Sequence, residues 1–384
     1  MSWEKIKLSE LYTVHNGLSK GRQFFGSGFP FLSFSTVFNN YFIPLELSDF
    51  VQTTEKEQDD YSIHRGDVFV TRTSETSDEL GMSCVALKDY PCATYNGFTK
   101  RMRPIEKDRV LPEYIGYYMR MPSFRGEFQA FSTMTTRASL RNEDLLGLEV
   151  TLPPIETQKR IADILSVYDD LIEINQKQIK LLEEAAQRLY KEWFVDLRFP
   201  GHENTPIIDG VPQGWKRVTL GNIAPILTGK KDANFGTEDG AYPFFTCSQE
   251  PIKAPSYSFD TSAVILAGNG DFNVKLYRGR FEAYQRTYVL SPNDEKYLYL
   301  LYNAVNESMA VLVKGASGST IKFLTKGMIE NIPLFVPTDK LLEQYNYYSE
   351  AVQQKLECLK KSIKIATEAR DRLLSKLMSG ELEV

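Results

Sequence analysis

TLPPIETQKRIADILSVYDDLIEINQKQIKLLEEAAQRLYKEWF, residues 151–194, lies at the middle of a 384-residue chain. Ile161, Tyr168, Asn175, Leu182 and Leu189 recur every 7 residues. Leu165, Ile172, Ile179, Ala186 and Trp193 form a second row, reached from the first by steps of 4 and 3. This is the a/d seam of a coiled coil, with one apolar stripe turned to a partner helix. Asp169, Asp170, Glu173, Lys177, Lys180, Glu183, Glu184 and Arg188 fill positions between and keep the rest of the helix in water. Pro153 and Pro154 forbid an earlier start, and Pro200 with Gly201 forbids a later end. The spacing predicts a helix of about 30 to 35 residues, roughly 50 Å long at 1.5 Å per residue. An ordinary long core helix is the alternative.

The end of the chain repeats this pattern. At an offset of 184, Lys177 falls on Lys361, Ile179 on Ile363, Glu184 on Glu368, Arg188 on Arg372 and Leu189 on Leu373. The seam recurs as Val352, Leu356, Leu359, Ile363, Ala366, Leu373 and Leu377, and a charge interrupts it once, at Arg370.

A repeated helix implies a repeated unit in front of it. "WEKIKLSELYTVHNGLSKG" from Trp3 aligns with "WKRVTLGNIAPILTGKKDA" from Trp215 at an offset of 212, placing Leu8 on Leu220, Val14 on Ile226 and Gly17 on Gly229. "FPFLSFS" (29–35) resembles "YPFFTCS" (242–248), and "RASLRNEDLLGLEVTLPP" resembles "GSTIKFLTKGMIENIPLFVP". Between these shared ends the copies diverge. The chain therefore divides into a globular region (1–152), a central helix (153–198), a linker (199–214), a second globular region (215–338) and a C-terminal helix (339–384).

The globular regions read as mostly β. Short runs such as "GDVFVTRT", "MSCVALKDY", "SAVILAG" and "EAYQRTYVL" are separated by Gly, Pro, Asn and Asp turns. One helix is expected in each, over "LPEYIGYYMRMPSFRGEFQAF" and "DEKYLYLLYNAVNESMAVLV". The fold class is α+β: two β-rich regions and two long helices with coiled-coil seams, in an internal repeat. At 42% apolar and 25% charged residues the composition is that of folded domains. No apolar run reaches 18 residues and no signal peptide opens the sequence, so a cytoplasmic protein is expected. Four cysteines without a C-x-x-C pair and three histidines make a zinc site or disulfide framework unexpected.

No motif for covalent chemistry stands out. "FFGSG" (24–28) matches an F-x-G-x-G loop but is not a strand-to-helix junction, and no N-P-P-Y or D-P-P-Y tetrapeptide follows. "GNGDF" (268–272) lacks a third glycine, and there is no G-x-x-x-x-G-K-[ST]. His15, His64 and His202 stand without triad-type neighbours. We expect no catalytic, cofactor or metal site in this chain.

Basic and polar residues do group on apparent turns. The first region carries Lys20 and Arg22; Arg72, Thr73 and Ser74; Asn96, Lys100 and Arg101; and Arg137. The second carries Lys230 and Lys231; Asn269, Asn273 and Lys275; Arg286; and Ser319, Thr320 and Lys322. Arg and Lys suit phosphates and guanine edges, and Asn suits adenine edges, so these are candidate DNA contacts; ordinary surface solvation is the alternative for each. A net charge of -5 does not exclude DNA, because acidic residues can gather on the helices while one face stays basic.

The stretch from "LPPIETQKRIADIL" to "KEWFVDLRFPG", the repeated plan, "GDVFVTRTSETSDELG", "AYQRTYVL" and the ending "LLSKLMSGEL" resemble the specificity subunit of type I restriction-modification systems over essentially the whole chain. In two places the pattern differs: "FVPTDKLLEQYNYY" replaces "LPPIETQKRIADIL" in the second copy, and Arg370 interrupts the second seam. The resemblance implies two target recognition domains held apart by the two helices, which pair as an antiparallel coiled coil with pseudo-two-fold symmetry, each domain reading half of an interrupted double-stranded DNA sequence. It also implies two adenine methyltransferase subunits that bring adenosylmethionine, and two motor-nuclease subunits, where present, that bring ATP and Mg. The other reading of the residues is an adaptor that binds proteins through two β-rich domains.

Overall fold

The computed structural model describes residues 3–74, 80–130, 138–318 and 321–384. It divides into two compact units, Met1–Glu173 with Ile363–Val384, and Ile174–Ser362. The division cuts both long helices instead of falling at the chain boundaries 152, 198, 214 and 338, because each helix buries its two halves in different cores. Ile161 and Leu165 share the first unit's core with Leu374 and Leu377. Tyr190 and Trp193 share the second unit's core with Leu341, Leu342 and Tyr345.

In the first unit, strand Glu4–Lys7 pairs antiparallel with Glu149–Leu152 and so ties the two ends of the globular region together. A four-stranded antiparallel sheet runs in the order Tyr12–Asn16, Thr99–Pro104, Val68–Thr71, Ser83–Val85. Successive side chains of a strand point to opposite faces. Accordingly Val68, Val70, Val85 and Met102 face one core with helix residues Tyr114, Tyr117 and Phe124, while Phe69 and Cys84 face a second core with Leu32 and Tyr95. Leu32 and Tyr95 belong to a three-stranded sheet, in which Phe25–Leu32 pairs parallel with Thr94–Tyr95. The expected single helix after this sheet is two, Pro112–Tyr118 and Pro122–Ala130. Pro122 has no amide hydrogen and disfavours helical backbone in the residue before it, so it starts a new helix instead of extending the old one.

The second unit repeats the plan. Lys216–Thr219 pairs antiparallel with Pro333–Val336. A six-stranded sheet has the order Ile226–Thr228, Thr287–Leu290, Phe259–Ala267, Val274–Ala283, Tyr242–Phe245, Ile252–Ala254. It too buries both faces: Val264, Leu266 and Leu290 on one side, Ile265, Phe281 and Val289 on the other. Helix Leu298–Gly315 covers the first of these with Leu298, Leu300, Leu301 and Val305.

Backbone bonds carry the repeat. Leu8 donates to the Leu148 carbonyl at 2.8 Å, and Leu220 to that of Ile332 at 2.9 Å. Gly17 donates to Thr99 at 3.2 Å, and Gly229 to Thr287 at 3.1 Å. A Cβ on Gly17 would lie 2.0 Å from the Asn96 carbonyl oxygen, and one on Gly229 would lie 1.9 Å from that of Ala283. Both aligned glycines are therefore fixed by the same close approach of two strands.

The central helix spans Ile155–Tyr190, starting directly after Pro153 and Pro154, and gives way to a π turn over Lys191–Val195. The C-terminal helix spans Asp339–Met378. Along the two, Leu165, Asn175, Leu356, Leu359 and Ala366 are buried, and Tyr168, Ile172, Ile179, Leu182, Leu189, Val352, Ile363 and Leu373 are half-buried. The pairing is antiparallel inside each unit. In the first, Asp169 meets Arg370; in the second, Asn175 Nδ2 donates to Ser362 Oγ at 3.0 Å and Trp193 packs on Tyr345. Val167, Leu171, Ile174 and Leu181 lie off this seam and are exposed. Among the described residues no helix is long and apolar enough to cross a membrane.

Candidate nucleic-acid interface

In the first unit, the chain leaving strand Val68–Thr71 runs between two other segments. Arg72 donates its amide to the Phe98 carbonyl at 3.0 Å and accepts from the Leu140 amide at 2.9 Å. Thr73 and Ser74 then pair with Ser139 and Ala138. The turn before strand Thr99–Pro104 is preset: Asn96 Oδ1 accepts the Phe98 amide at 2.7 Å, and the Asn96 carbonyl accepts the Thr99 amide at 3.0 Å. Three groups that are far apart in sequence, at 72–74, 96–98 and 138–142, thus share one end of the sheet. Arg137 lies outside the described residues.

Lys100 and Arg101 differ from the turn positions that the sequence suggests. They stand on strand Thr99–Pro104, not on a turn, and are 5% and 8% exposed. "TKRMRP" alternates across the sheet, so Lys100 lies with buried Met102, and Arg101 turns to the opposite core. Lys100 Nζ donates to Asn16 Oδ1 at 3.2 Å and to Asn142 Oδ1. Burial, with the Arg72 cation beside it, holds its ammonium below the usual lysine range. Arg101 donates to the Ser62 carbonyl at 2.7 Å and lies over the Tyr95 ring. Both cations are engaged inside the unit. So is Lys20, whose Nζ donates to Glu57 at 2.8 Å and to the Gln52 carbonyl at 2.7 Å. Arg22 is exposed on the 3-10 turn Arg22–Phe24.

The second unit gathers the corresponding segments. Gly268 donates to the Arg286 carbonyl at 2.8 Å and accepts from Leu324 at 2.8 Å. Asn269 bridges to Phe323, and Gln285 donates to the Lys231 carbonyl at 3.0 Å. Arg286, Lys230 and Lys322 are exposed here, and Lys231 Nζ stands 4.3 Å from the Phe235 ring centroid. Asn273 and Lys275 are again turned inward. Asn273 Nδ2 donates to the Cys247 carbonyl at 3.0 Å, and Lys275 Nζ donates to the Ser248 carbonyl at 2.8 Å and to Asn273 Oδ1. Burial holds the Lys275 ammonium below its usual range. Ser319 and Thr320 lie outside the described residues.

Each unit therefore presents a polar loop cluster at one end of its sheet, built on the same backbone bonds and carrying different side chains. Such a surface can offer donors and acceptors to an extended polyanion, with specificity left to the loop side chains. Sequence reading missed Phe98, which is 56% exposed at the tip of the first cluster; its only local signal is the "NGFT" turn between two strands.

Residues 1–184 and 212–364 match the type I restriction modification DNA specificity domain. The chain belongs to that family. DNA sequence specificity is the family's role, and the two matched stretches are the two copies of the repeat. The chain is similar to the type I restriction enzyme EcoDI specificity subunit of Escherichia coli, 38% identical over 176 residues that make up 45% of this chain and 39% of that protein. It is similar along its full length to the MjaIX specificity subunit of Methanocaldococcus jannaschii, 25% identical over 413 aligned residues covering 94% of that protein. The type I restriction-modification S subunit from M. genitalium has the same fold, with a TM-score of 0.60 at 18% identity over 98% of this chain and 96% of that one.

Proposed function

We propose that this chain supplies the DNA specificity of a type I complex in which each unit reads one half of a bipartite double-stranded target. The helix pair sets the spacing of the halves and docks two adenine methyltransferase subunits. Adenosylmethionine chemistry belongs to those subunits, and ATP and Mg chemistry to motor-nuclease subunits where they join. The observation that supports this most is the duplicated loop cluster: 72–74, 96–98 and 138–142 in one unit, 268–269, 284–286 and 322–324 in the other, on matching hydrogen bonds. Two equivalent frames with unlike side chains are what two unlike half-sites require. The off-seam apolar residues Val167, Leu171, Ile174 and Leu181 give the central helix a face on which another helix can pack.

Exchanging residues 16–137 for the corresponding block of another family member tests this reading. Adenine-methylation sequencing of a host carrying the assembled system should show one half of the motif replaced and the other half, with the spacer, retained. A change in both halves together would count against independent recognition units. A chain that stays off DNA even with its partner subunits would favour the adaptor reading.

A further inference from the structure

The two loop clusters correspond residue by residue. Arg72 donates to the Phe98 carbonyl as Gly268 does to that of Arg286. Leu140 donates to Arg72 as Leu324 does to Gly268, and Thr99 donates to Asn96 as Thr287 does to Tyr284. Gly17 and Gly229 donate to Thr99 and Thr287. Phe98 is therefore the counterpart of Arg286, and Arg72 of Gly268. Each cluster carries one arginine across this bond, on opposite sides of it.

The exchange has a steric reason. A Cβ at Gly268 would lie 2.4 Å from the Arg286 carbonyl oxygen and 2.9 Å from the Tyr288 ring, so the second unit leaves that side bare. Its arginine stands instead at the tip, where the side chain is exposed. In the first unit the tip is a phenyl ring, held out by an amide that Asn96 fixes. Both tips are short and anchored through backbone atoms, so little side-chain freedom beyond their own rotamers is lost when they meet a ligand.

We propose that Phe98 and Arg286 are the equivalent base-reading residues of the two units, each entering the major groove of its own half-site with different chemistry. Arg286 reads a guanine, whose O6 and N7 accept a bidentate guanidinium; Phe98 reads a thymine through contact with its methyl group. This rests on the function proposed above and adds to it the base class at one position of each half. Lys100 and Arg101, buried in the first unit, and Lys275, half-buried and turned inward in the second, have no such role.

The test is selection of the assembled complex, with its methyltransferase subunits, against duplexes randomised one position at a time within the wild-type motif. Arg286→Ala should lose about 10- to 100-fold of the preference for guanine at one position of one half and leave the other half intact. Phe98→Ala should do the same to a thymine in the opposite half, and Phe98→Leu, which keeps an apolar contact, should retain most of that preference. Unfolding midpoints of the variants should match the parent, since both side chains are exposed and the anchoring bonds are backbone bonds. A uniform fall in affinity with Arg286→Ala, an unchanged motif and a salt slope reduced by about 1 would show a phosphate contact and overturn the assignment. An unchanged motif with Phe98→Ala would overturn it for the first unit. A wild-type complex without any preferred motif would instead remove the underlying reading of function.

Discussion

The two ends of the helix pair solve the same packing problem differently. In the first unit Arg370 stands on the seam and fills the space beside it. Its guanidinium donates to Asp169 at 2.6 Å, lies 4.8 Å from the Tyr41 ring centroid, and is 12% exposed, while Tyr117 Oη donates to the other oxygen of Asp169 at 2.5 Å. The 184-residue repeat puts Ala186 in place of Arg370 and Gln353 in place of Asp169 in the second unit. There the ion pair is missing and a cavity of about 210 Å³ remains, lined by Ala186, Gln353, Glu183, Tyr302, Asn303 and Asn306 among others. Asn175 is a further polar seam residue, on the central helix, and its repeat partner on the C-terminal helix is the buried Leu359. Seam spacing is therefore what the repeat retains, and the polar residues inside it are placed independently in each copy.

The largest effect that separates the two ends should come from Arg370→Ala. It leaves a mostly enclosed Asp169 carboxylate without its cation, which costs about 3 kcal/mol for a pair this poorly exposed. Denaturant unfolding of the intact chain would measure it; a loss below about 1 kcal/mol would mean the pair is no more than a surface contact. Filling the cavity is the smaller, opposite change. Ala186→Met, which adds apolar atoms to this half-open groove, should raise stability by about 1 kcal/mol, and Ala186→Arg with Gln353→Asp should show favourable coupling in a double-mutant cycle. A destabilising Ala186→Met would argue that water or a partner side chain already occupies the site.

The smallest effect distinguishes the two sheets. Lys100 in the first unit takes the place of Tyr288 in the second, whose hydroxyl donates to the Leu324 carbonyl at 2.8 Å. Because burial lowers the Lys100 pKa in the folded chain, the unfolded chain binds the extra proton. Stability then rises with pH between the folded pKa and the usual lysine value near 10.5. Lys100→Met should remove that rise, read as a flatter difference in unfolding midpoint against the parent from neutral pH upward. Parallel curves for the two proteins would contradict an inward ammonium.

Much of the architecture was legible because it is local. Heptad spacing from Ile161 to Trp193 marks a helix whatever surrounds it, and Pro153 with Pro154 marks its start within a residue. Trp3 and Trp215, or Gly17 and Gly229, announce a duplicated plan because equal close approaches demand equal residues. The candidate interface was legible only in outline. Arg72, Arg286 and Lys322 stand out by residue type, but Lys100, Arg101 and Lys275 present the same residue types on strands. A strand buried on both faces has no amphipathic signature, and charged side chains that find Asn16, Ser62 or Ser248 look the same in sequence as solvated ones.

By itself the sequence determined the repeat, the two helices with their seam, and the family, since each depends on residue order over short distances. Tertiary structure alone decided which cations are free, which position faces Phe98, and why a cavity stands beside Ala186. Those depend on hydrogen bonds between segments separated by whole strands and turns, such as Arg72 to Phe98 and Gly268 to Arg286, whose pairing no local pattern records. A buried lysine and a solvated one differ only in the neighbours that folding brings to them.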